Sequence, residues 1–203
     1  MKKPETDIWE APPHVHEGVG VLHIVLTSFL IGVGAALGAF GSFTFPLGFG
    51  VNFLWPGIVV QNVGGIWFGA WGVIASALFP IISNGLTGAP VLLSLAYMPA
   101  NALQAFIPGL AFRILNADPS LRGGRDWMVF LGSITLANLI GSAWSALVVL
   151  PAFKLTVSGT QGLYMWGWFA GNEIPGVIFG SLVMYLFSRR IMRGVLFIRG
   201  WWV

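Results

Sequence analysis

Glu173 is an acid in an apolar setting: it follows Trp166-Gly-Trp-Phe-Ala-Gly-Asn172 and precedes a long hydrophobic run. The other acids, Glu5, Asp7, Glu10, Glu17, Asp118 and Asp126, sit in the N-terminal tail or in one short polar loop. A carboxylate at the centre of a bilayer costs roughly 2.5–3.5 kcal/mol on insertion scales, so it calls for a partner, a proton or a ligand. Asn172 adjoins it, and Pro175 frees a carbonyl nearby because it has no N–H to donate. Glu173 therefore reads as a ligand-contacting or proton-carrying group in a pocket open to the outside. The competing reading is a structural carboxylate held by Trp or Asn donors.

A second polar set is Asn84, Asn101, Gln104, Asn138, Ser142 and Ser145. Asn101 and Gln104 are three apart on one helical face. Asn138, Ser142 and Ser145 follow i, i+4, i+7 on another, with Trp144 beside them. Such stripes serve either helix-to-helix hydrogen bonds or a polar solute. Gln61 and Asn62 carry the same two readings. Among ten tryptophans, Trp127, Trp166, Trp168, Trp201 and Trp202 suit interfacial belts. Trp55, Trp67, Trp71 and Trp144 suit packing or stacking on a flat ligand. The ligand-binding set expected is Glu173, Asn172, Trp144, Trp168, Asn138, Asn101 and Gln104. Glu173 and Asn172 would meet a cationic or hydrogen-bonding part of the solute, and Trp144 or Trp168 would stack on its ring.

Other chemistry is poorly served. His14 and His16 stand two apart in a proline-containing tail, and neither they nor His23 has a matching Cys or Asp cluster, so no metal is expected. The absence of cysteine excludes disulfides, thiolate sites and cysteine nucleophiles. No phosphate-cradling loop, zinc-protease helix, nucleophile elbow or dinucleotide fingerprint occurs. One carboxylate without a His, Cys or second acid makes a poor catalytic constellation. Neither enzymatic activity nor a cofactor is expected.

These residues must be positioned by membrane helices. The 203-residue chain is 56% hydrophobic and 8% charged, where soluble domains carry about 25% charged residues; mean hydropathy is +0.82. The basic pI, about 9.7, reflects sparse charge at helix ends and does not point to nucleic acid. The expected fold is an all-α polytopic bundle of about six transmembrane helices, some short or broken. Residues 1–17 form a polar tail, 18–190 the transmembrane domain and 191–203 a C-terminal tail. Spans are expected at about 18–40, 54–68, 71–84, from the turn at 85–90 to about 115, 127–150 and 165–187. The second and third are short and meet across the Gly69-Ala-Trp-Gly72 corner. The uncharged Gly- and Phe-rich stretch 41–52 reads as an apolar irregular loop, which hydrocarbon tolerates only against protein or a cavity.

Charge sets orientation. Lys2, Lys3, Arg113, Arg122, Arg125, Arg189, Arg190, Arg193 and Arg199 fall on one side of a six-span topology and Lys154 on the other. Both termini are thereby expected in the cytoplasm of a multi-pass cell-membrane protein. The first span also carries Gly34/Gly38 and Ala35/Ala39, small pairs four apart that let another helix approach closely, either a sibling helix or another subunit.

Four features together give a family likeness: the first span with Ala35/Ala39; the loop ending Phe45-Pro-Leu-Gly-Phe-Gly50; Gly65-Ile-Trp-Phe-Gly-Ala-Trp-Gly72 followed by Ala75, Ala77 and Asn84; and Glu173-Ile-Pro-Gly-Val-Ile-Phe-Gly180 leading to Arg189 and Arg190. With these, residues 20–192 resemble the substrate-binding S components of energy-coupling factor vitamin transporters. The resemblance implies a compact six-helix bundle that binds a vitamin-like small molecule in an outward-facing pocket. It implies a membrane coupling subunit docked on Ala35, Ala39, Gly34 and Gly38, and two ATPase subunits beneath. It makes Asn172 and Glu173 pocket candidates. The stretch from Trp55 through Asn84 to Asn101 also looks like membrane sensory input domains of bacterial signalling proteins. Thirteen residues follow Arg190, so no output domain is expected. The reading is a small-molecule-binding subunit of an ATP-driven uptake system. The rivals are a stand-alone sensor, a structural subunit of a larger membrane complex, and a proton-coupled secondary transporter using Glu173.

Overall fold

The computed structural model describes residues 8–9, 20–42 and 54–202. The polar tail apart from Ile8 and Trp9, with His14 and His16, and the Gly- and Phe-rich loop beyond Ser42 lie outside the described residues. Five long apolar helical segments form the bundle: α1 (Val21–Phe40), α2 (Gly57–Leu86), α3 (Val91–Ile114), α4 (Gly124–Ala152) and α5 (Gln161–Met192). Each is long and apolar enough to cross a bilayer, and the protein is a multi-pass helical membrane protein. Helices are what such a sequence must form, because hydrocarbon offers no partner for an unpaired N–H or C=O.

One of the five segments, α2, is bent back on itself. Gly69, inside α2, has φ 54° and ψ −131°, far from helical values. The two arms, residues 57–68 and 70–86, fold back on each other there; at 1.5 Å per residue they are about 18 and 26 Å long. Antiparallel pairing is fixed by contact: a Cβ on Gly72 would overlap the Gly64 carbonyl, and Gln61 Nε2 donates to the Ser76 carbonyl at 3.3 Å. The expected short second and third spans are this hairpin, and the expected corner is its tip. The first arm also runs parallel to α3 at backbone contact, since a Cβ on Gly65 would overlap the Ala105 carbonyl. Helices approach this closely only where Gly or Ala lines the seam. The hairpin is the best-buried segment of the bundle, and its short arms need not reach both headgroup layers unaided.

α1 packs on the second arm. A side chain at Gly34 would strike Phe79 at 2.6 Å, and one at Gly38 would strike Ser83 at 2.9 Å. These two glycines therefore serve packing within the chain. Ala35 is buried with them, while Ala39 is half-buried; the outward face of α1 carries Gly32 and Ala36 instead. The last two segments outrun their expected bounds, α4 by three residues at its start and two at its end, α5 by four and five. Each contains a widened turn, Ser145–Val149 in α4 and Gly176–Gly180 in α5. The second follows Pro175, whose missing N–H breaks the i→i−4 ladder and re-registers it.

The end of the bundle that carries the arginines is closed by both described terminal pieces. Arg113 donates to the carbonyls of Gly65, Gly109, Ile198 and Gly200. Its guanidinium lies between the rings of Trp9 at 4.7 Å and Trp201 at 4.9 Å. Trp9 is buried and donates through Nε1 to the Ala117 carbonyl at 3.0 Å; Arg199 donates to the Ile8 carbonyl at 2.6 Å. The residues after α5 are thus no loose tail. The Ala70 N–H donates to Trp201 O at 2.8 Å, and the Ile198 N–H donates to Trp67 O at 3.0 Å. These bonds tie the hairpin tip down. Trp9 is inserted in the bundle end because Arg113 and Phe197 offer its ring two faces.

Gly69 carries the sharpest prediction from this geometry. An L-residue at φ 54°, ψ −131° costs about 1–3 kcal/mol, and a Cβ would also meet Trp201 O at 2.5 Å. Gly69→Ala should lower the melting temperature in detergent by several degrees. Gly85→Ala, where nothing lies within 4 Å of the added Cβ, should leave it unchanged. Equal melting of the two variants would refute the hairpin.

Candidate functional site

At the end opposite the arginines, α2, α3 and α5 leave between them a cavity lined by Trp55, Pro80, Asn84, Tyr97, Asn101, Trp168 and Asn172. Trp55 lies just before α2, whose second arm supplies Pro80 and Asn84. α3 supplies Tyr97 and Asn101; α5 supplies Trp168 and Asn172. The lining is aromatic rings and primary amides with no charged side chain. Its volume is about 30 Å³. A water needs about 10–15 Å³, so the cavity holds about two waters in this state.

Two prolines set the walls. Pro175 cannot donate to Gly171, four residues back, and the freed Gly171 carbonyl accepts from the Trp55 N–H at 2.9 Å. The Trp55 ring stacks on Phe79 with centroids 5.6 Å apart. Pro80 in the same way frees the Ser76 carbonyl, which accepts from Gln61 Nε2. Gln61 Nε2 also donates to Asn101 Oδ1 at 3.3 Å, which leaves the Asn101 NH₂ facing the cavity. Tyr97 and Trp168 pack with centroids 5.0 Å apart.

Several polar groups here have no protein partner. The Trp168 Nε1–H is buried and unpaired. The Tyr97 hydroxyl is buried with only Ser145 beside it. Among the described residues, the side-chain amides of Asn84 and Asn172 make no hydrogen bond. An unpaired buried donor or acceptor costs about 1–3 kcal/mol, so these groups favour a guest that hydrogen-bonds to them. Together they offer donors and acceptors between flat rings, without a formal charge.

Glu173 points elsewhere. Its Oε1 accepts from Thr135 Oγ1 and its Oε2 from Asn138 Nδ2, both at 2.6 Å. Asn138 Oδ1 in turn accepts from Gln104 Nε2 at 2.9 Å. A polar chain therefore crosses three helices, α5 to α4 to α3, and Asn138 and Gln104 within it are wholly buried. Of the seven residues expected at the ligand, Asn172, Trp168 and Asn101 line the cavity. Glu173, Asn138 and Gln104 belong to the chain beside it, because the Thr135 hydroxyl and the Asn138 amide turn the carboxylate toward α4. Trp144 is directed at the bundle rim, where Nε1 donates to the Ala96 carbonyl at 2.9 Å.

Tyr97 and Pro80 are lining residues that sequence reasoning missed, and Asn84 and Trp55 were noticed without being placed. The spacing Gly171 to Pro175 was the available signal for Trp55: it marks a carbonyl in need of a donor, though not which donor. No family model, no characterised protein and no solved structure matches this chain.

The polar chain makes a stability prediction. Asn138→Leu would strand both Glu173 Oε2 and Gln104 Nε2, at about 1–3 kcal/mol for each group left unpaired. Its melting temperature should fall clearly below that of Glu173→Gln, which keeps an acceptor for Thr135. An Asn138→Leu protein as stable as wild type would show that the polar chain does not hold these helices together.

Proposed function

We propose that the protein is a membrane-embedded receptor for a small uncharged solute and serves as the binding subunit of an ATP-driven uptake system. The observation that carries the receptor reading is the uncharged cavity with its free amides and buried, unpaired indole N–H. Drug-sized ligands occupy about 300–1,000 Å³, so the 30 Å³ cavity corresponds to a closed form. Solute binding parts Trp55 and Trp168, two large rings of its lining. The solute is flat enough to lie against indole and phenol rings, and it presents hydrogen-bond acceptors to Trp168 and Asn101.

The arginine-bearing end faces the cytoplasm in this reading, which places the cavity on the outer side. The strong excess of Lys and Arg at that end supports it, as does the meeting there of Ile8 and Trp9 with residues 197–202. The ATP-driven part rests on the resemblance to energy-coupling factor S components. The surface available to a coupling subunit is the outward face of α1, the helix whose packing is confined to α2.

Mass-spectrometric identification of small molecules retained on the purified protein tests the receptor reading, followed by titration of the retained compound. Trp168→Ala and Asn172→Ala should each weaken binding about tenfold or more, since a stacking ring or a hydrogen-bonding amide in a dry site is worth at least about 1.4 kcal/mol. Glu173→Gln should change it less. Loss of binding in Glu173→Gln, with Trp168→Ala and Asn172→Ala unaffected, would move the site to the carboxylate. Copurification of ATPase subunits checks the coupling; Gly32→Leu combined with Ala36→Leu should abolish it without affecting binding.

A further inference from the structure

A groove lies along the outer seam of α3 and α4, remote from the cavity and close to the arginine-bearing end. Its volume is about 420 Å³. Ile107 and Ala111 form one wall, and Met128, Gly132 and Leu136 form the other; Arg125 stands at its end. Each row repeats every four residues, so each is one stripe along its helix. The groove exists because its middle is small. Gly132 is exposed and nothing lies within 4 Å of a Cβ built there, while Ala111 faces it with a single methyl. The floor and walls are apolar, and the one charge in the lining is the guanidinium.

We infer that this groove is a binding site for an anionic phospholipid, with an acyl chain along the seam and the phosphate on Arg125. Length supports that occupant. From Arg125 to Leu136 the helix rises about 16 Å at 1.5 Å per residue, close to the half-thickness of a hydrocarbon core of about 30 Å. The apolar trough therefore matches one leaflet and stops where an acyl chain stops. Charge supports it equally. One Arg125 N–H donates to the Leu115 carbonyl, and the remaining donors have no partner among the described residues. The nearby acids do not compete: Asp126 accepts from the N–H groups of Asp118 and Gly123, and Asp118 accepts from Ser120. Basic pockets between membrane helices recognise phosphate headgroups in this manner. A zwitterionic lipid would fill the trough equally well but gain less at the guanidinium. This site is independent of the solute cavity and of any coupling subunit.

The experiment is native mass spectrometry of the full chain released from nanodiscs of equal phosphatidylglycerol and phosphatidylethanolamine. Wild type should retain phosphatidylglycerol over phosphatidylethanolamine by about fivefold, the worth of one arginine at an anionic headgroup. Arg125→Gln should bring the ratio near one. Arg122→Gln, in the loop just before α4 and outside the groove lining, should keep it. Gly132→Phe fills the trough where there is open space and should lower retention of both lipids. A preference that survives Arg125→Gln, or unchanged retention in Gly132→Phe, would overturn the assignment.

Discussion

A carbonyl oxygen released by proline inside hydrocarbon has no water to turn to, and two such oxygens organise the cavity end of this protein. Pro175 releases Gly171, which captures the backbone N–H of Trp55. Pro80 releases Ser76, which captures the amide of Gln61. In water either carbonyl would be solvated at little cost, and neither bond would decide anything. In a bilayer an unsatisfied group costs several kcal/mol, so each bond becomes a fixed point between elements far apart in the chain. The first sets the entry of α2 against α5. The second sets the two arms of the hairpin and, through Asn101, the α3 wall of the cavity.

Glycine supplies the complementary constraint. Because Gly64 and Gly72 touch, and Gly65 touches Ala105, three helical passes meet at backbone distance. That approach brings the Pro80-freed carbonyl within reach of a glutamine on the neighbouring arm. Larger residues at the seam would push the arms apart, and the polar groups between them would lose one another. The tip that permits the fold-back is fixed at its far side by the residues after α5, through Trp67, Ala70 and the Arg113 cluster. The cavity end and the arginine-bearing end are thereby linked through one hairpin.

Much of this was legible in the chain. The helical class, the short broken pair of spans and the corner at Gly69–Gly72 follow from apolar run lengths and glycine placement, which local sequence encodes. Asn101, Trp168 and Asn172, which line the cavity, were legible as candidates for the same reason: polar or amphipathic groups in hydrocarbon demand an explanation. What was not legible is direction. Glu173 and Asn172 are adjacent, yet helical geometry turns them about 100° apart. Only the packing of α4 decides that the amide meets the cavity and the carboxylate meets Thr135 and Asn138. Gly34 and Gly38 posed the same problem, for a small-residue pair shows that a helix comes close but not which helix. Arg113 announced itself only as a topology signal. Its role at the closed end depends on Trp9 and Trp201, more than 80 residues away on either side, and no local pattern carries that.

The direction of Glu173 has a consequence for the kind of solute. A carboxylate facing the cavity would select a cation and would itself need a counter-charge when the site is empty. Held by Thr135 and Asn138, it instead joins α5 to α4 by two hydrogen bonds. The cavity is left neutral. Its empty state then carries unpaired amides and an indole N–H, at about 1–3 kcal/mol for each buried group. An empty anionic pocket in a bilayer would cost more and would draw in protons or metal ions. A neutral, hydrogen-bonding cavity can close around about two waters and reopen for a flat solute without moving charge through hydrocarbon. That is the electrostatic condition under which the proposed binding subunit would stay folded both loaded and empty.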